Sequence, residues 1–275
     1  MTMAGDLRPR YRWYQLDASA GAAALALSPV LDEALAPTVT RPGALPLVLV
    51  RTQFPHVLLG PRDRRLPRLG EALAWLRRQG YPAYFRAGGG SAVLLDEGCV
   101  SFAVARPARD LTRWQANFTE LVEGVVAGLA ELGIRARFGA APGAYCEGPY
   151  DLVVDGRKLA GIAQAVRQGF TLVSGMVLVD QDPARTTALL QEFYERAGDG
   201  RRLDAGAVTH LKALRPERPP APAEVAAALY RGYATGFALE PVPWQEADWD
   251  RARRLLAARE AEVSALAGDQ VARPE

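Results

Sequence analysis

Two runs of alternating side chains between residues 151 and 180 constrain the fold more than any other feature of this sequence. The runs, DLVVDGRKLAGIAQAVRQ and FTLVSGMVLVD, have the two-residue period of β-strands and meet near Gly169. A glycine between two such runs is typical of a hairpin turn, and hairpin partners run antiparallel. The sequence therefore predicts a sheet built largely from antiparallel strands.

The other segments alternate between strand and helix patterns. Strands are predicted at 45–52, at 56–60 and, around a triple-glycine turn, within 82–106; helices are predicted at 66–80, 111–133 and 183–198. We expect an α/β (α+β) fold with a mixed, largely antiparallel sheet flanked by helices. Its main domain would be residues 1–213, followed by a proline-rich connector, 214–224, and a helical appendage, 225–275, which is too short for a core of its own.

Composition and charge exclude several classes of function. The formal net charge is +2 with mixed signs along the chain, so the basic stripe of a nucleic-acid-binding protein is missing. Two cysteines in 275 residues, in no metal-type spacing, argue against a disulfide framework or a metal site and favour a cytoplasmic protein. The apolar run 21–31 resembles the core of a signal peptide but is too short to span a membrane. It is better interpreted as a helix that follows a strand.

Cys146 is the candidate nucleophile. It lies in APGAYCEGPYD, where two prolines and two glycines prevent a long helix or a central strand. A loop held by a rigid sheet is a common place for catalytic residues, and a cysteine there becomes nucleophilic when a nearby cation favours the thiolate. Cys99 instead alternates with Ser101 and Ala103 along a predicted strand, which indicates a packing role.

Lysine is almost absent from this chain, since only Lys158 and Lys212 are lysines among 33 basic residues. Unlike arginine, lysine can lose its proton when it is desolvated, so Lys158 could favour the Cys146 thiolate and later donate a proton. Drift is the alternative explanation, and Lys212 is expected to be a solvated helix residue. A turn at Asp155-Gly156 restarts the strand alternation, so the pattern does not place Lys158 on either face of the sheet.

Other polar or glycine-rich features allow more than one interpretation. The segment Gly88–Gly90 either forms a tight turn or lets the backbone approach a ligand and present N–H groups to an oxygen. Asp151 either orients the loop or Lys158, or it caps the start of a strand. Histidine is the usual partner of a catalytic thiol, but His56 and His210 are expected to be structural.

Two ordered motifs carry a resemblance to a known family. RAGGGSAVLLDEG, residues 86–98, and YCEGPYDLVVDGRKLAGIAQ, residues 145–164, resemble the glycine loop and the lysine strand of the lipoate/biotin protein ligase and octanoyltransferase superfamily. TQFPHVLLGPRDRRLP, residues 52–67, is similar to a further family segment, so the resemblance covers residues 11–213. The DEG after the glycine loop and the cysteine before YDL are most similar to the cysteine-dependent amidotransferase branch.

The resemblance implies a fold, a reaction and a site. Residues 1–213 would be an acyltransferase catalytic domain that moves an octanoyl (or lipoyl) group to lysines of the lipoyl domains of 2-oxoacid dehydrogenase complexes. The donor would be glycine cleavage H protein or, as an alternative, acyl carrier protein, with no cofactor, metal, nucleic acid or membrane involved. Cys146 would carry the acyl group as a thioester, and Lys158 would contact the acyl carbonyl. The resemblance assigns substrate binding to Arg86, Gly88, Gly89, Gly90, Asp151 and Gly161.

Two alternatives remain at this stage. An ATP-dependent lipoate ligase would need ATP and magnesium but no cysteine. The family's ligases usually carry a histidine after the glycine loop, where this chain has Val93-Leu94-Leu95, and many of them have a second domain that the short tail does not provide. A silent binding protein for lipoyl domains is disfavoured because it would have no reason to keep Cys146 and Lys158.

Overall fold

The computed structural model describes residues 7–108, 111–167 and 169–268. The strands are β1 (Arg10–Leu16), β2 (Leu47–Thr52), β3 (His56–Leu59), β4 (Ala83–Phe85), β5 (Val93–Leu95), β6 (Cys99–Pro107), β7 (Arg137–Gly139), β8 (Asp151–Val154), β9 (Arg157–Arg167), β10 (Phe170–Leu178) and β11 (Ala238–Pro241). The helices are α1 (Ala22–Leu25), α2 (Leu31–Leu35), α3 (Leu69–Arg78), α4 (Trp114–Glu131), α5 (Pro183–Arg196), α6 (Leu211–Leu214), α7 (Pro222–Gly236) and α8 (Glu246–Leu266).

The main sheet has the strand order β11-β1-β2-β6-β10-β9-β8-β7. Only β1 pairs in parallel with its neighbours; the other pairs are antiparallel, which confirms the predicted mixed, largely antiparallel sheet. The predicted hairpin near Gly169 is the β9–β10 pair. The predicted turn at Asp155-Gly156 is confirmed: both residues have positive φ, at 48° and 75°, and they form the two-residue turn between β8 and β9.

A small second sheet has the order β4-β3-β5. The prediction of a strand, a glycine turn and a strand is therefore only partly right. The segment Gly88–Gly90 does not close a hairpin, because β3 lies between the two strands that it connects. The connection from β4 to β5 instead runs to the main sheet, where the Gly89 N–H donates to the carbonyl of Gln164 in β9.

Helices cover both faces of the main sheet. α4 and α7 pack on one face, where Leu121, Val125 and Leu229 belong to one apolar cluster with the valines Val48 and Val50 of β2. On the opposite face, α2 packs at one end and the small sheet with α3 and α5 at the other. The N-cap Asp182 accepts hydrogen bonds from two N–H groups of α5, which explains where that helix begins.

The residues after 213 are integrated with this architecture. β11 extends the main sheet beside β1, and α7 packs so closely on α4 that a Cβ at Gly232 would lie 2.1 Å from the Gly124 carbonyl oxygen. The helical tail expected from the sequence is present as α7 and α8, but the strand β11 between them was not expected. The tail expected as an appendage thus contributes both a strand and a helix layer to the main body.

The segment Ala22–Thr40 has the length and apolar composition of a possible membrane span. Most of it is buried against the rest of the protein, with Leu31 and Leu35 fully buried beside Leu49 of β2. Its helices follow β1, which confirms the predicted order of a strand followed by a helix.

Candidate active site

Cys146 lies in the loop between β7 and β8 and has a left-handed backbone conformation, with φ at 47°. The residue is half-buried. Its Sγ accepts a hydrogen bond from the Ser91 N–H at 3.2 Å and lies 3.5 Å from Nη2 of Arg86. The loop position predicted for this cysteine is confirmed, and a glycine-loop N–H and a guanidinium both point at its sulfur.

Lys158 at the start of β9 is fully buried directly beneath this loop. Its Nζ donates to the carbonyl oxygens of Tyr145 and Cys146, at 3.1 and 2.8 Å, and lies 2.9 Å from Oδ2 of Asp151. An ammonium group has three N–H donors, and these three oxygens account for all of them. Lys158 therefore holds the Cys146 backbone in place and puts a positive charge under the thiol.

Asp151 performs both orienting roles that the sequence left open. It is buried, and besides its ion pair with Lys158 it accepts hydrogen bonds from the N–H groups of Gly148 and Ile162, at 3.0 and 3.1 Å. Gly148 belongs to the Cys146 loop and Ile162 to β9. Asp151 thus fixes the loop and the lysine at once, and a buried ion pair with this many hydrogen bonds is the arrangement that tolerates desolvation.

Arg86 organises the glycine loop. Its guanidinium donates to the carbonyls of Leu58, Gly89 and Ser91, at 2.9, 3.1 and 2.7 Å. The structure therefore shows Arg86 bound to backbone and to the Cys146 sulfur; contact with substrate stays a prediction. A guanidinium suits this task because its N–H donors lie in one plane and point in fixed directions.

The three loop glycines lie in different surroundings. Gly90 has a φ of 101°, and a Cβ there would lie 2.7 Å from the Cys146 Sγ, so no side chain fits. Gly88 lines the cavity beside the cysteine, whereas Gly89 is exposed. Gly161, also predicted to bind substrate, lines the same cavity, and a Cβ there would lie 3.2 Å from the Nζ of Lys158.

A cavity extends from Cys146 between the main sheet and the small sheet. Leu58, Val93 and Leu95 of the small sheet supply apolar walls, and Met176 of β10 faces them. Strand β5 is the stretch where the family's ligases usually carry a histidine. Here its first and last residues, Val93 and Leu95, form part of an apolar wall. Such a cavity suits an aliphatic chain attached to the sulfur.

Opposing effects act on the pKa of the Cys146 thiol. Burial raises the pKa, but the positive charges of Arg86 and Lys158 and the Ser91 N–H lower it by more, against a small contribution from Asp151. The pKa therefore lies below that of an ordinary cysteine. Cys99 shows the contrast, because it is fully buried and burial raises the pKa of its thiol. We therefore expect Cys146 to be the more reactive of the two thiols.

We expect iodoacetamide to alkylate Cys146 with a pH midpoint below that of a free thiol. Only the thiolate reacts, so the rate rises with pH through the thiol pKa, and a lowered pKa moves that rise to lower pH. Arg86→Gln should move the midpoint to higher pH, whereas Arg253→Gln on the surface of α8 should not. Peptide mass mapping after timed alkylation measures this for each cysteine. An unchanged midpoint in Arg86→Gln would exclude Arg86 as the group that favours the thiolate.

Neither histidine is found at the site. His56 is fully buried, its Nδ1 donates to the Phe54 carbonyl at 2.7 Å, and burial lowers its pKa to about 3. His210 precedes α6 as its N-cap residue. Lys212 is half-exposed and pairs with Asp180 at 2.9 Å, which confirms the solvated lysine expected there.

Sequence reasoning missed the backbone groups that complete the site. The Ser91 N–H contacts the sulfur and the Tyr145 carbonyl contacts Lys158. Every residue has a backbone carbonyl and every residue except proline has an N–H, so no side-chain signal identifies these two groups. Tyr194 of α5 was also missed. Its hydroxyl accepts from the Ala92 N–H and donates to Asp63, which anchors the far side of the glycine loop.

The family model and the similar known proteins agree on the family to which this sequence is related. Residues 26–234 match the family model described as the lipoyl protein ligase A/B catalytic domain. The chain is 31% identical over 231 residues to the octanoyl-[GcvH]:protein N-octanoyltransferase of Anoxybacillus flavithermus, which covers 80% of this chain and 82% of that protein. The protein of the same name from Geobacillus kaustophilus is 34% identical over 145 residues, about half of each chain.

Solved structures share the fold. Lipoate-protein ligase A bound with ATP superposes with a TM-score of 0.70 at 21% identity, over 96% of this chain and all of that one. A bipartite lipoate protein ligase from Thermoplasma acidophilum, studied with its E2 lipoyl domain, gives a TM-score of 0.69 at 21% identity, over 98% and 99% of the chains. At this identity the likeness establishes the fold alone.

Proposed function

The chain belongs to the lipoyl protein ligase A/B catalytic domain family, and from that premise we propose that it transfers octanoyl groups between proteins through a thioester on Cys146. The donor is glycine cleavage H protein carrying an octanoylated lysine, and the acceptor is a lysine of a lipoyl domain. The names of the relatives support this donor. The observation that supports it most is a half-buried cysteine, flanked by Arg86 and Lys158, that lines a cavity with apolar walls from the small sheet.

The first half of the reaction breaks the donor amide. The Cys146 thiolate attacks the octanoyl carbonyl carbon, and the carbonyl oxygen becomes an oxyanion. The Ser91 N–H, which faces the sulfur at 3.2 Å, is the donor placed to stabilise that oxyanion once the sulfur has formed its new bond. The intermediate then expels the H protein lysine as an amine and leaves octanoyl-Cys146.

The leaving amine needs a proton, and we assign that proton to Lys158. To deliver it, Lys158 has to exchange one of its three oxygen partners for the reacting groups. In the second half, the amine of the lipoyl-domain lysine attacks the thioester, its proton returns to Lys158, and the thiolate leaves. Protons, acyl group and charge balance over the two halves, and Lys158 and Cys146 end in their starting states.

Because one lysine amide is broken and another is formed, the transfer is close to balanced in free energy and needs no nucleotide. A ligase that starts from a free acid has to make an amide from a carboxylate, which is unfavourable without ATP. The two enzyme classes therefore differ in whether a nucleotide is required.

We expect the purified protein to move octanoyl from octanoylated H protein to an unmodified lipoyl domain with ATP and magnesium absent. Intact-mass analysis of all three proteins follows the transfer directly, and a reaction without the enzyme is the control. Free octanoate or lipoate with ATP should give little product. If transfer depended on ATP, or if free acid were the better donor, the ligase would be the correct assignment.

A further inference from the structure

Glu33 of α2 holds the start of the glycine loop. Its Oε1 accepts a hydrogen bond from the N–H of Ala87, the residue that follows Arg86. Its other oxygen, Oε2, lies 2.7 Å from Nη2 of Arg259 in α8. A hydrogen bond to a charged acceptor is stronger than one between neutral groups. The Ala87 backbone is therefore bound to α2 by a carboxylate whose countercharge comes from the C-terminal helix.

This carboxylate is buried, because the Glu33 side chain is only 10% exposed. Burial and the neighbouring Asp32 carboxylate raise the pKa of Glu33 above its ordinary value, although the Ala87 N–H and the charge of Arg259 act against this. A buried carboxylate is costly unless it is paired and hydrogen-bonded. Glu33 lines the cavity, but the proposed reaction uses no carboxylate there. What the buried charge provides is the contact with the loop.

A second contact of α8 holds the residue before Arg86. Glu262 follows Arg259 by three residues, so the two lie on one face of α8, where they pair with each other at 3.5 Å. Glu262 also pairs with Arg64, whose guanidinium carbon lies 3.9 Å from the ring centroid of the buried Phe85. A guanidinium over an aromatic face is an attractive contact. Through one side chain on each side, α8 thus reaches both neighbours of Arg86.

Arg86 depends on the glycine loop for its own position. Two of the three carbonyls that accept from its guanidinium, those of Gly89 and Ser91, belong to the loop, and the third belongs to Leu58 of β3. The Ser91 N–H that contacts the Cys146 sulfur is also part of the loop. A shift of the loop at its start therefore changes the distance between the sulfur and both groups that favour the thiolate.

We propose that Glu33 is a positioning residue for Arg86, and that Arg259 and Glu262 support it in this role. The C-terminal helix thereby determines how strongly Arg86 favours the Cys146 thiolate. The consequence for octanoyl transfer rests on the proposed function, whereas the consequence for the thiol is measured without any acyl group.

Glu33→Ala tests the proposal, because two effects on the Cys146 thiol have opposite signs. Removing a negative charge lowers the pKa of a nearby thiol or leaves it unchanged, whereas releasing the loop moves Arg86 away and raises it. We expect the pH midpoint of iodoacetamide alkylation at Cys146 to rise by about 1 pH unit, the smaller end of the effect of an opposite charge within about 4–6 Å. Below the midpoint, acylation of Cys146 by octanoylated H protein should slow about tenfold, in proportion to the thiolate.

Two matched variants separate the loop contact from other effects of the substitution. Glu33→Gln keeps an oxygen for the Ala87 N–H, so its midpoint should stay at or below the native value. Arg253→Gln removes a surface ion pair from the same helix and should leave the midpoint unchanged. Thermal melting of each variant shows whether a shifted midpoint accompanies a general loss of stability. A midpoint that is unchanged or lower in Glu33→Ala would mean that Glu33 only lines the cavity, and the proposal would be wrong.

Arg259→Gln/Glu262→Gln tests the part played by α8 and leaves every residue of the loop and of α2 in place. It removes one charge of each sign from partly exposed positions, so the net charge near the thiol is unchanged. The midpoint should again rise, but by less than in Glu33→Ala because Glu33 remains. An unchanged midpoint would exclude α8 from this role. If the midpoints shift as expected but no carrier acylates the native protein, the positioning role stands and the proposed function fails.

Discussion

Replacing Cys146 with serine is expected to abolish octanoyl transfer, by on the order of 10³-fold or more. The environment of Cys146 lowers the pKa of a thiol. The pKa of a serine hydroxyl is so much higher than that of a thiol that the charges of Arg86 and Lys158 do not ionise it. The left-handed φ of 47° is no harder for serine than for cysteine, so the loop should keep its shape. The rate of lipoyl-domain octanoylation and the mass of the enzyme after mixing with octanoylated H protein measure the loss.

Cys99→Ser is the matched control. Cys99 is fully buried, and its Sγ lies 3.3 Å from Nε2 of Gln181, a contact that a hydroxyl can replace. This variant should keep most of the transfer and the acyl adduct. An active Cys146→Ser enzyme, or loss of the adduct in Cys99→Ser alone, would contradict the assignment of the nucleophile.

Much of the fold could be predicted because it depends on local patterns. The hairpin at Gly169, the turn at Asp155-Gly156 and the helices 66–80 and 183–198 all follow from alternation, helical spacing and turn residues. The crossover at the glycine loop was not predictable in this way. The sequence shows strand, glycines, strand, but only the tertiary pairing puts β3 between the two strands.

The candidate site likewise combines residues that local patterns identify with contacts that only the tertiary structure creates. Cys146 was found because proline and glycine place it on a loop, and Lys158 because lysine is rare. What the pattern left open was the face of the sheet on which Lys158 lies. The register between β8 and β9 shifts at Leu152 and Val153, and this irregularity brings Lys158 and Asp151 together beneath the loop.

Arg51 of β2 lines the cavity beside Cys146, but it could not be recognised from sequence, since it is one of many arginines and lies 95 residues before Cys146. It reaches the cavity because β2, β6, β10 and β9 are consecutive in the sheet although they are far apart in sequence. The order of strands, which is a long-range property, decides which side chains share a cavity.

Replacing Lys158 with arginine is expected to lower transfer by about 10²-fold, the scale of a misplaced reacting group, while the protein still folds. Lys158 directs three N–H bonds to the oxygens of Tyr145, Cys146 and Asp151. An ammonium group spreads its N–H groups tetrahedrally, whereas the donors of a guanidinium lie in one plane, so arginine is not expected to reproduce these three bonds. The larger group also has to fit where the packing against Gly161 is already close, and overpacking costs about 1–3 kcal/mol. Transfer rates and thermal melting measure both effects.

Lys212→Arg is the matched control, because it changes the other lysine of the chain, which is half-exposed and pairs with Asp180. It should leave transfer and melting unchanged. Lys158→Met leaves the buried Asp151 carboxylate without a counterion and should lower the free energy of unfolding by about 3–5 kcal/mol. Lys158→Met/Asp151→Asn removes both charges, so no unpaired charge is buried and the stability should be regained. Transfer should not be regained, because the thiol still has no lysine cation beside it. Near-normal transfer by Lys158→Arg or by the double variant would mean that Lys158 serves only the packing of the loop.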